Sequence, residues 1–247
     1  MVTRIRSPAY TAAWTLRNTT DLFSLMRKLL VSKWAKVAAL LICLLPLASL
    51  GWRAMHNGLT ANPIEFITHT TGDWTLRFLC MTLAITPLRK ILRQPDLIRF
   101  RRMLGLFAFF YASLHFTTYI WLDKFFDLTE MWKDVAKRPY ITLGFTGFVL
   151  LIPLAITSTA GWIRRLGGRR WQLLHRLIYV SAIAGVIHYY WLVKSAVLRP
   201  LTYAAIVTVL LLWRFADKLW PRSDTGPAFA PKLRSQKLSP EPENRKL

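Results

Sequence analysis

The chain has 247 residues, of which 53% are apolar and 13% aromatic, and it carries a formal net charge of +22. This much apolar material excludes an intrinsically disordered chain, and the presence of only two cysteines excludes a small disulfide-stabilised secreted scaffold. The 34 lysines and arginines against 12 acidic residues would suit a nucleic-acid-binding protein, but their distribution along the chain argues against that class.

The chain begins with a basic segment, residues 1–35, which we predict to be cytoplasmic. Residues 20–36 overlap the end of this segment, and in them basic and apolar residues recur at helical spacing. Such a pattern is typical of a helix that lies on the inner face of a membrane. At the other end of the chain, residues 221–247 are rich in proline and mixed charge, so we predict a disordered cytoplasmic tail.

Uncharged stretches dominate residues 36–220 between these ends. Two of them, 103–122 and 139–163, are long enough to cross the core of a bilayer, which takes about 20 residues. Shorter uncharged runs qualify when flanking Trp, Lys or Arg side chains reach the membrane surface. We therefore predict an all-α membrane protein with a six-helix transmembrane bundle, its spans near 36–53, 74–91, 102–122, 140–161, 171–193 and 200–220.

The basic residues between the predicted spans indicate how the bundle is oriented. The N-terminal segment and the alternate connections 88–102, 164–176 and 214–247 hold 26 of the 34 Lys and Arg residues. The remaining connections hold only 7 of them. Since basic residues accumulate on the cytoplasmic side of membrane proteins, both termini are predicted to be cytoplasmic.

Three histidines fall inside predicted spans: His115 in span three, and His175 and His188 in span five. A single membrane histidine often only hydrogen-bonds a neighbouring helix, but an ionisable group at this depth is also a functional candidate. At about 1.5 Å per residue, His115 and His188 lie at the same level, about 10 and 8 Å inside the outer ends of their spans. Facing imidazoles from adjacent helices are typical iron ligands of a six-coordinate b-type haem. We therefore predict haem b between helices three and five.

His175 is predicted to lie about 20 Å further inward than His188 along the same helix. A second haem at that level would need a histidine near the start of span three, where the chain has Arg101 and Arg102. We therefore expect one haem near the outer face. His175, with Arg101 and Arg102, is a candidate for a flavin phosphate or quinone site, or for a weaker haem site, near the inner face. Alternatively, the arginines simply anchor helix ends to anionic lipid.

Several segments together resemble the haem-binding membrane subunits of bacterial periplasmic methionine sulfoxide reductase systems, within the ferric-reductase-like transmembrane superfamily. They are NPIEFITHTTGDW (62–74), TLAITPLRK (82–90), LIRFRRMLGL (97–106), LH (114–115), RPYITLG (138–144), TSTAGWIRRLGGRRWQLLHRLIY (157–179) and IHYYWLVK (187–194). In this resemblance His115, His175 and His188 are haem-associated, metal-binding histidines. Arg101 and Arg102 stand where the wider superfamily has a fourth histidine.

The resemblance implies a multi-pass protein of the bacterial inner membrane with b-type haem and bound FMN. It also implies electron delivery from the quinone pool, or from a cytoplasmic flavin reductase, to a periplasmic molybdopterin catalytic subunit that repairs oxidised methionine in proteins. We expect that partner to hold the catalytic site and to dock on the outer connections 53–73 and 123–139. Two alternatives are a stand-alone cytochrome b that reduces ferric iron and a cofactor-free transporter with a histidine proton relay. The expected lack of a carboxylate at the level of the histidines argues against the transporter.

Overall fold

A computed structural model describes residues 25–193 and 196–219, which form helices and short connections and contain no strand. The predicted tail 221–247 and most of the predicted N-terminal segment lie outside the described residues. Residues 25–31 are helical and precede the first long helix. The helices that follow are α1 (Lys33–Met55), α2 (Pro63–Ile91), α3 (Ile98–Thr118), α4 (Leu128–Lys137), α5 (Pro139–Ile156), α6 (Ala160–Leu166), α7 (Gly168–Leu174), α8 (Leu177–Leu192) and α9 (Leu198–Leu219).

Four helical stretches are long and apolar enough to cross a membrane, judged by length and composition. They are Lys33–Met55, Pro95–Asp123, Pro139–Ile156 and Leu198–Leu219. Large apolar side chains such as Leu41, Ile42 and Leu45 on α1 are exposed, as a surface in contact with lipid tails requires. The prediction of an all-helical membrane protein is confirmed at this level, and the count of six spans stays a prediction.

Two closely packed helix pairs form the centre of the bundle. The largest contacts join α2 to α3 and α5 to α8, and the two pairs meet where α3 touches α5. Helix α9 packs against both α2 and α8, and α1 packs against α3. We call the end of the bundle that contains His115 and His188 the histidine end. The opposite end, where α2 finishes and α3 begins, is the arginine end.

Tyr111 of α3 connects the core to α1 through two backbone hydrogen bonds. Its side chain is only 1% exposed. The hydroxyl donates to the Cys43 carbonyl at 2.9 Å and accepts from the Leu47 amide at 3.2 Å. Both backbone groups lie beside Pro46, which has no N–H of its own. The Tyr111 hydroxyl therefore fixes α3 to α1 at the proline.

Replacing Tyr111 by phenylalanine is expected to destabilise the bundle by about 1–3 kcal/mol, because it removes two hydrogen bonds between a buried hydroxyl and the backbone of α1. The thermal unfolding midpoint of the purified protein in detergent measures this effect. Tyr190→Phe is the matched control, since Tyr190 is 45% exposed. Equal midpoints for the two variants would contradict a structural role for the Tyr111 hydroxyl.

Helix α2 begins eleven residues earlier than the predicted second span. Asn62 caps it, with Oδ1 accepting from the Glu65 amide at 3.2 Å, and Pro63 occupies the first helical position. Asn, Pro and Glu in this order are a typical helix start. The predicted outer connection 53–73 therefore contains about three turns of α2. This extension brings His69 and Asp73 to the histidine end.

The predicted fifth span is not one continuous helix. Residues 175 and 176 form a turn between α7 and α8, so His175 closes a short helix and does not lie within a long one. The predicted fourth span likewise ends early, at Ile156. Thr157 follows as its C-cap, and Thr159 caps α6 by accepting from the Trp162 amide. The prediction that His175 and His188 lie on one continuous helix was therefore wrong.

Candidate haem site

His115 on α3 and His188 on α8 face each other at the histidine end. The centroids of the two imidazole rings are 6.2 Å apart, and the ring planes are inclined by 76°. Both rings line one cavity of about 890 Å³ between the two helix pairs. This volume lies within the range of about 300–1,000 Å³ that ligand and cofactor sites occupy.

Each imidazole is held by a backbone carbonyl of its partner helix. The Nδ1 atom of His115 lies 2.9 Å from the Thr68 carbonyl oxygen on α2, and Nδ1 of His188 lies 2.6 Å from the Tyr140 carbonyl oxygen on α5. A carbonyl oxygen only accepts, so Nδ1 carries the proton in both rings. Each Nε2 therefore keeps a free lone pair, which is the state that a metal-binding histidine requires.

A glycine follows each of these carbonyls four residues later and allows the imidazole to approach the helix. A Cβ atom at Gly144 would lie 2.7 Å from Nδ1 of His188, and one at Gly72 would lie 3.1 Å from Cε1 of His115. The same arrangement of histidine, carbonyl and glycine is thus built twice, once in each helix pair. The sequence analysis missed both glycines. Their only sequence signal is the equal spacing of Thr68 to Gly72 and of Tyr140 to Gly144.

These residues fit a haem held by two axial histidines. Imidazoles that bind one metal ion from opposite sides, with metal–nitrogen bonds of about 2.0–2.1 Å, have ring centroids about 6 Å apart. The observed separation of 6.2 Å matches that spacing. The two carbonyls orient the rings, and the two glycines leave room for them. His115 and His188 would hold the iron.

The family model "Ferric reductase like transmembrane component" matches residues 71–186, which include His115 and His175. A heme-binding subunit MsrQ of protein-methionine-sulfoxide reductase from Herminiimonas arsenicoxydans is 62% identical over 69% of this chain and 79% of its own length. The chain belongs to the MsrQ family.

Two further MsrQ relatives cover more of the chain. The protein from Caulobacter vibrioides is 52% identical over 76% of this chain and 89% of its own. The protein from Xanthomonas campestris pv. campestris is 50% identical over 80% and 93%. The resemblance inferred from the sequence segments is therefore confirmed. The family model ends two residues before His188, whose role as an iron ligand stays a prediction.

Polar side chains of α2 also reach the cavity of this MsrQ-family chain. Glu65, His69 and Asp73 lie on one face of α2 at four-residue spacing, and all three line the cavity. Nε2 of His69 lies 3.7 Å from Oε1 of Glu65. The expectation that no carboxylate reaches the level of the histidines was wrong, because α2 starts at Pro63 and carries Asp73 next to Gly72.

A buried ion pair joins the end of α3 to α4 beside the cavity. Lys124 and Asp134 are 9% and 7% exposed, and Nζ of Lys124 lies 2.8 Å from Oδ2 of Asp134. Burial raises the pKa of the Asp134 carboxyl, but the hydrogen bond and charge of Lys124 outweigh it, so the net pKa is lowered. The hydrogen bond from Lys124 to Asp134 raises the pKa of the lysine.

Asp134→Asn is expected to destabilise the MsrQ-family chain by about 1–3 kcal/mol at neutral pH, because it removes a charged partner of a buried lysine. A carboxyl with a lowered folded pKa stabilises the protein above its ordinary pKa, and this contribution disappears as the pH falls through the folded value. The difference in unfolding midpoint between wild type and Asp134→Asn is therefore constant from about pH 6 to 9 and shrinks below about pH 4. Glu130→Gln, at an exposed neighbour of Lys124, is the control; a difference that persists at low pH would contradict the ion-pair explanation.

The other predicted site residues lie at the arginine end. His175 stacks on Trp171 at 3.9 Å between ring centroids, and its Nδ1 lies 3.1 Å from the Trp171 carbonyl oxygen. Arg101 is half-buried with its charge close to His175, whereas Arg102 is exposed. None of these three is among the residues that line the cavity of His115 and His188. The structure thus brings His175 near Arg101 and separates both from the candidate haem site.

Proposed function

We propose that the chain is a membrane electron-transfer subunit that holds one b-type haem between His115 and His188 and passes electrons to a methionine sulfoxide reductase. The observation that carries this proposal is the pair of facing imidazoles, 6.2 Å apart, each with Nδ1 bonded to a carbonyl and Nε2 free. The MsrQ relatives, whose names describe heme-binding subunits of that reductase, support the same role.

The residues at the histidine end would bind and orient the haem, and no residue of the chain would be catalytic. The haem would supply a one-electron carrier, with both His115 and His188 engaged in holding it. The Thr68 and Tyr140 carbonyls accept the Nδ1 proton of each ring and so keep each Nε2 unprotonated.

We further propose that the partner is a periplasmic molybdopterin catalytic subunit, which docks at the histidine end. There α4 and the connection before it expose both acidic and basic side chains, among them Asp123, Glu130 and Lys133, next to the haem cavity. In this arrangement the histidine end faces the periplasm, the arginine end and both termini face the cytoplasm, and six spans cross the inner membrane. The basic connections at the arginine end support that orientation.

Electrons would enter at the arginine end from the quinone pool or from a cytoplasmic flavin reductase. Arg101 and His175, with Arg102 at the surface, are the residues that we propose for FMN or a quinone headgroup. Their positive charge suits a phosphate or a reduced headgroup. From the start of α8 at Leu177 to His188 the helix rises about 17 Å, at about 1.5 Å per residue, which is roughly half of the hydrocarbon core of a bilayer.

The test is the visible spectrum of the detergent-purified, haem-supplied protein, measured as dithionite-reduced minus oxidised. We expect the sharp Soret and α bands of a low-spin b haem, unchanged by carbon monoxide. A featureless spectrum from folded protein would refute the proposal and favour the histidine proton relay. Bands that shift with carbon monoxide would indicate an open iron position and favour a stand-alone cytochrome b. Reoxidation of the reduced protein by the purified catalytic subunit with methionine sulfoxide then tests the partner.

A further inference from the structure

Three arginines from three helices come together at the arginine end. Arg89 lies in the last turn of α2, Arg101 in the first turn of α3, and Arg214 near the end of α9. Arg214 reaches α2 at Thr86, about one turn before Arg89. Arg101 lies close enough to Arg214 and His175 for its charge to act on both. Guanidinium groups stay protonated in proteins, so this cluster is positively charged at any physiological pH.

The surrounding helices hold Arg214 with neutral groups only. Its Nη1 donates to the Tyr179 hydroxyl of α8, its Nη2 donates to Oγ1 of Thr86 on α2 at 2.5 Å, and its guanidinium lies over the Tyr179 ring at 5.1 Å from the centroid. These contacts fix the direction of the guanidinium, and none of them is to a carboxylate. A buried charge without an anionic partner destabilises a protein.

Donor atoms of the cluster lack partners within the described residues. The Nε–H donors of Arg89 and Arg214 are buried without a hydrogen bond. The nearby carboxylate of Asp217 is bonded to Nζ of Lys90 at 2.6 and 2.8 Å, so it does not fill these positions. Buried polar atoms are nearly always satisfied in folded proteins, so these two N–H groups need an acceptor that a bound ligand can supply.

We propose that Arg89, Arg101 and Arg214 form a binding site for a phosphate group between α2, α3 and α9. A phosphate accepts hydrogen bonds in several directions and carries enough charge to balance three guanidinium groups. The proposal deepens the proposed cofactor site at the arginine end and rests on it. It adds Arg89 and Arg214, which the sequence analysis did not single out, and leaves the exposed Arg102 outside the site.

Two sources supply a phosphate at this position: a soluble phosphate ester such as FMN, and the headgroup of an anionic phospholipid, which basic pockets between membrane helices also bind. The experiment uses the full chain in nanodiscs and measures the thermal unfolding midpoint. In phosphatidylcholine discs, FMN is compared with riboflavin, which differs only by lacking the phosphate. In discs without flavin, phosphatidylglycerol is compared with phosphatidylcholine.

We expect the anionic member of at least one pair, FMN or phosphatidylglycerol, to raise the midpoint by about 5–10 °C at saturation; the phosphate of phosphatidylcholine is neutralised by its own choline. Arg89→Gln and Arg214→Gln should each remove most of that rise, and Arg214→Lys should remove part of it because lysine lacks the planar fork. Arg164→Gln, at an exposed arginine of the same end, should keep it. If Arg214→Gln does not fold, the midpoint of Arg89→Gln alone tests the proposed phosphate site.

A response to FMN alone identifies a soluble phosphate ester, and a response to phosphatidylglycerol alone identifies a lipid headgroup. Equal unfolding midpoints within both pairs would overturn the proposal. A rise in the midpoint of Arg89→Gln as large as that of the wild type would also overturn it. The reduced-minus-oxidised spectrum of the same samples reports separately on the haem between His115 and His188. Loss of the phosphate response with the haem bands intact would therefore reject this site and leave the electron-transfer proposal standing.

Discussion

Replacing either His115 or His188 by alanine is expected to abolish the low-spin haem spectrum of the purified protein. Each imidazole would supply one of the two axial bonds, and the other ring alone would leave an open iron position. Bound haem per protein should fall at least tenfold, measured by the pyridine haemochrome assay. Any haem that remains should be high-spin and bind carbon monoxide.

His175→Ala is the matched control for this prediction. His175 lies at the arginine end, away from the cavity that His115 and His188 line, so its loss should leave the low-spin bands in place. His69→Ala gives a second control within the cavity, since His69 pairs with Glu65 on α2. If His175→Ala removed the bands while His188→Ala kept them, the assignment of the axial pair would be wrong.

Replacing Gly144 by alanine is expected to displace His188 without unfolding the bundle. The added Cβ would lie 2.7 Å from Nδ1 and 2.9 Å from Cε1 of an imidazole that the Tyr140 carbonyl holds in place. Relief of such an overlap typically costs about 1–3 kcal/mol, so haem binding should weaken by about 5- to 150-fold. A haem titration followed at the Soret band measures the change.

Gly147→Ala is the control on the same helix, three residues further along. A Cβ there would meet the Ser181 carbonyl oxygen at 3.5 Å and Cβ of Ala184 at 3.6 Å, which is ordinary packing. Haem affinity should be nearly unchanged in this variant. The haem affinity of Gly72→Ala should lie between those of Gly144→Ala and Gly147→Ala, because its Cβ would lie 3.1 Å from Cε1 of His115. Equal affinities for Gly144→Ala and Gly147→Ala would show that the close approach of His188 to α5 is not needed.

The membrane class and the pairing of His115 with His188 were predictable from the sequence. Long apolar runs and the distribution of basic residues follow from the energetics of the bilayer, which acts on composition alone. The shared level of the two histidines follows because depth along a helix increases linearly with residue number. These inferences needed no knowledge of which helices touch.

The residues that complete the candidate haem site and the proposed phosphate site could be identified only from the tertiary structure. Which face of a helix meets its neighbour depends on rotation about the helix axis. The sequence therefore did not predict that Gly72 lies against His115 and Gly144 against His188. Arg89 and Arg214 are 125 positions apart and meet only because α9 packs back on α2.

Element boundaries caused the remaining errors. A helix start at Pro63, eleven residues before the predicted span, placed His69 and Asp73 in the cavity, and a turn at 175–176 removed His175 from the long helix that carries His188. The sequence by itself thus determined the membrane class and the shared level of His115 and His188, since both depend on composition and on depth. Tertiary packing alone decided the carbonyl and glycine supports and the arginine cluster, because these depend on contacts between helices that are distant along the chain.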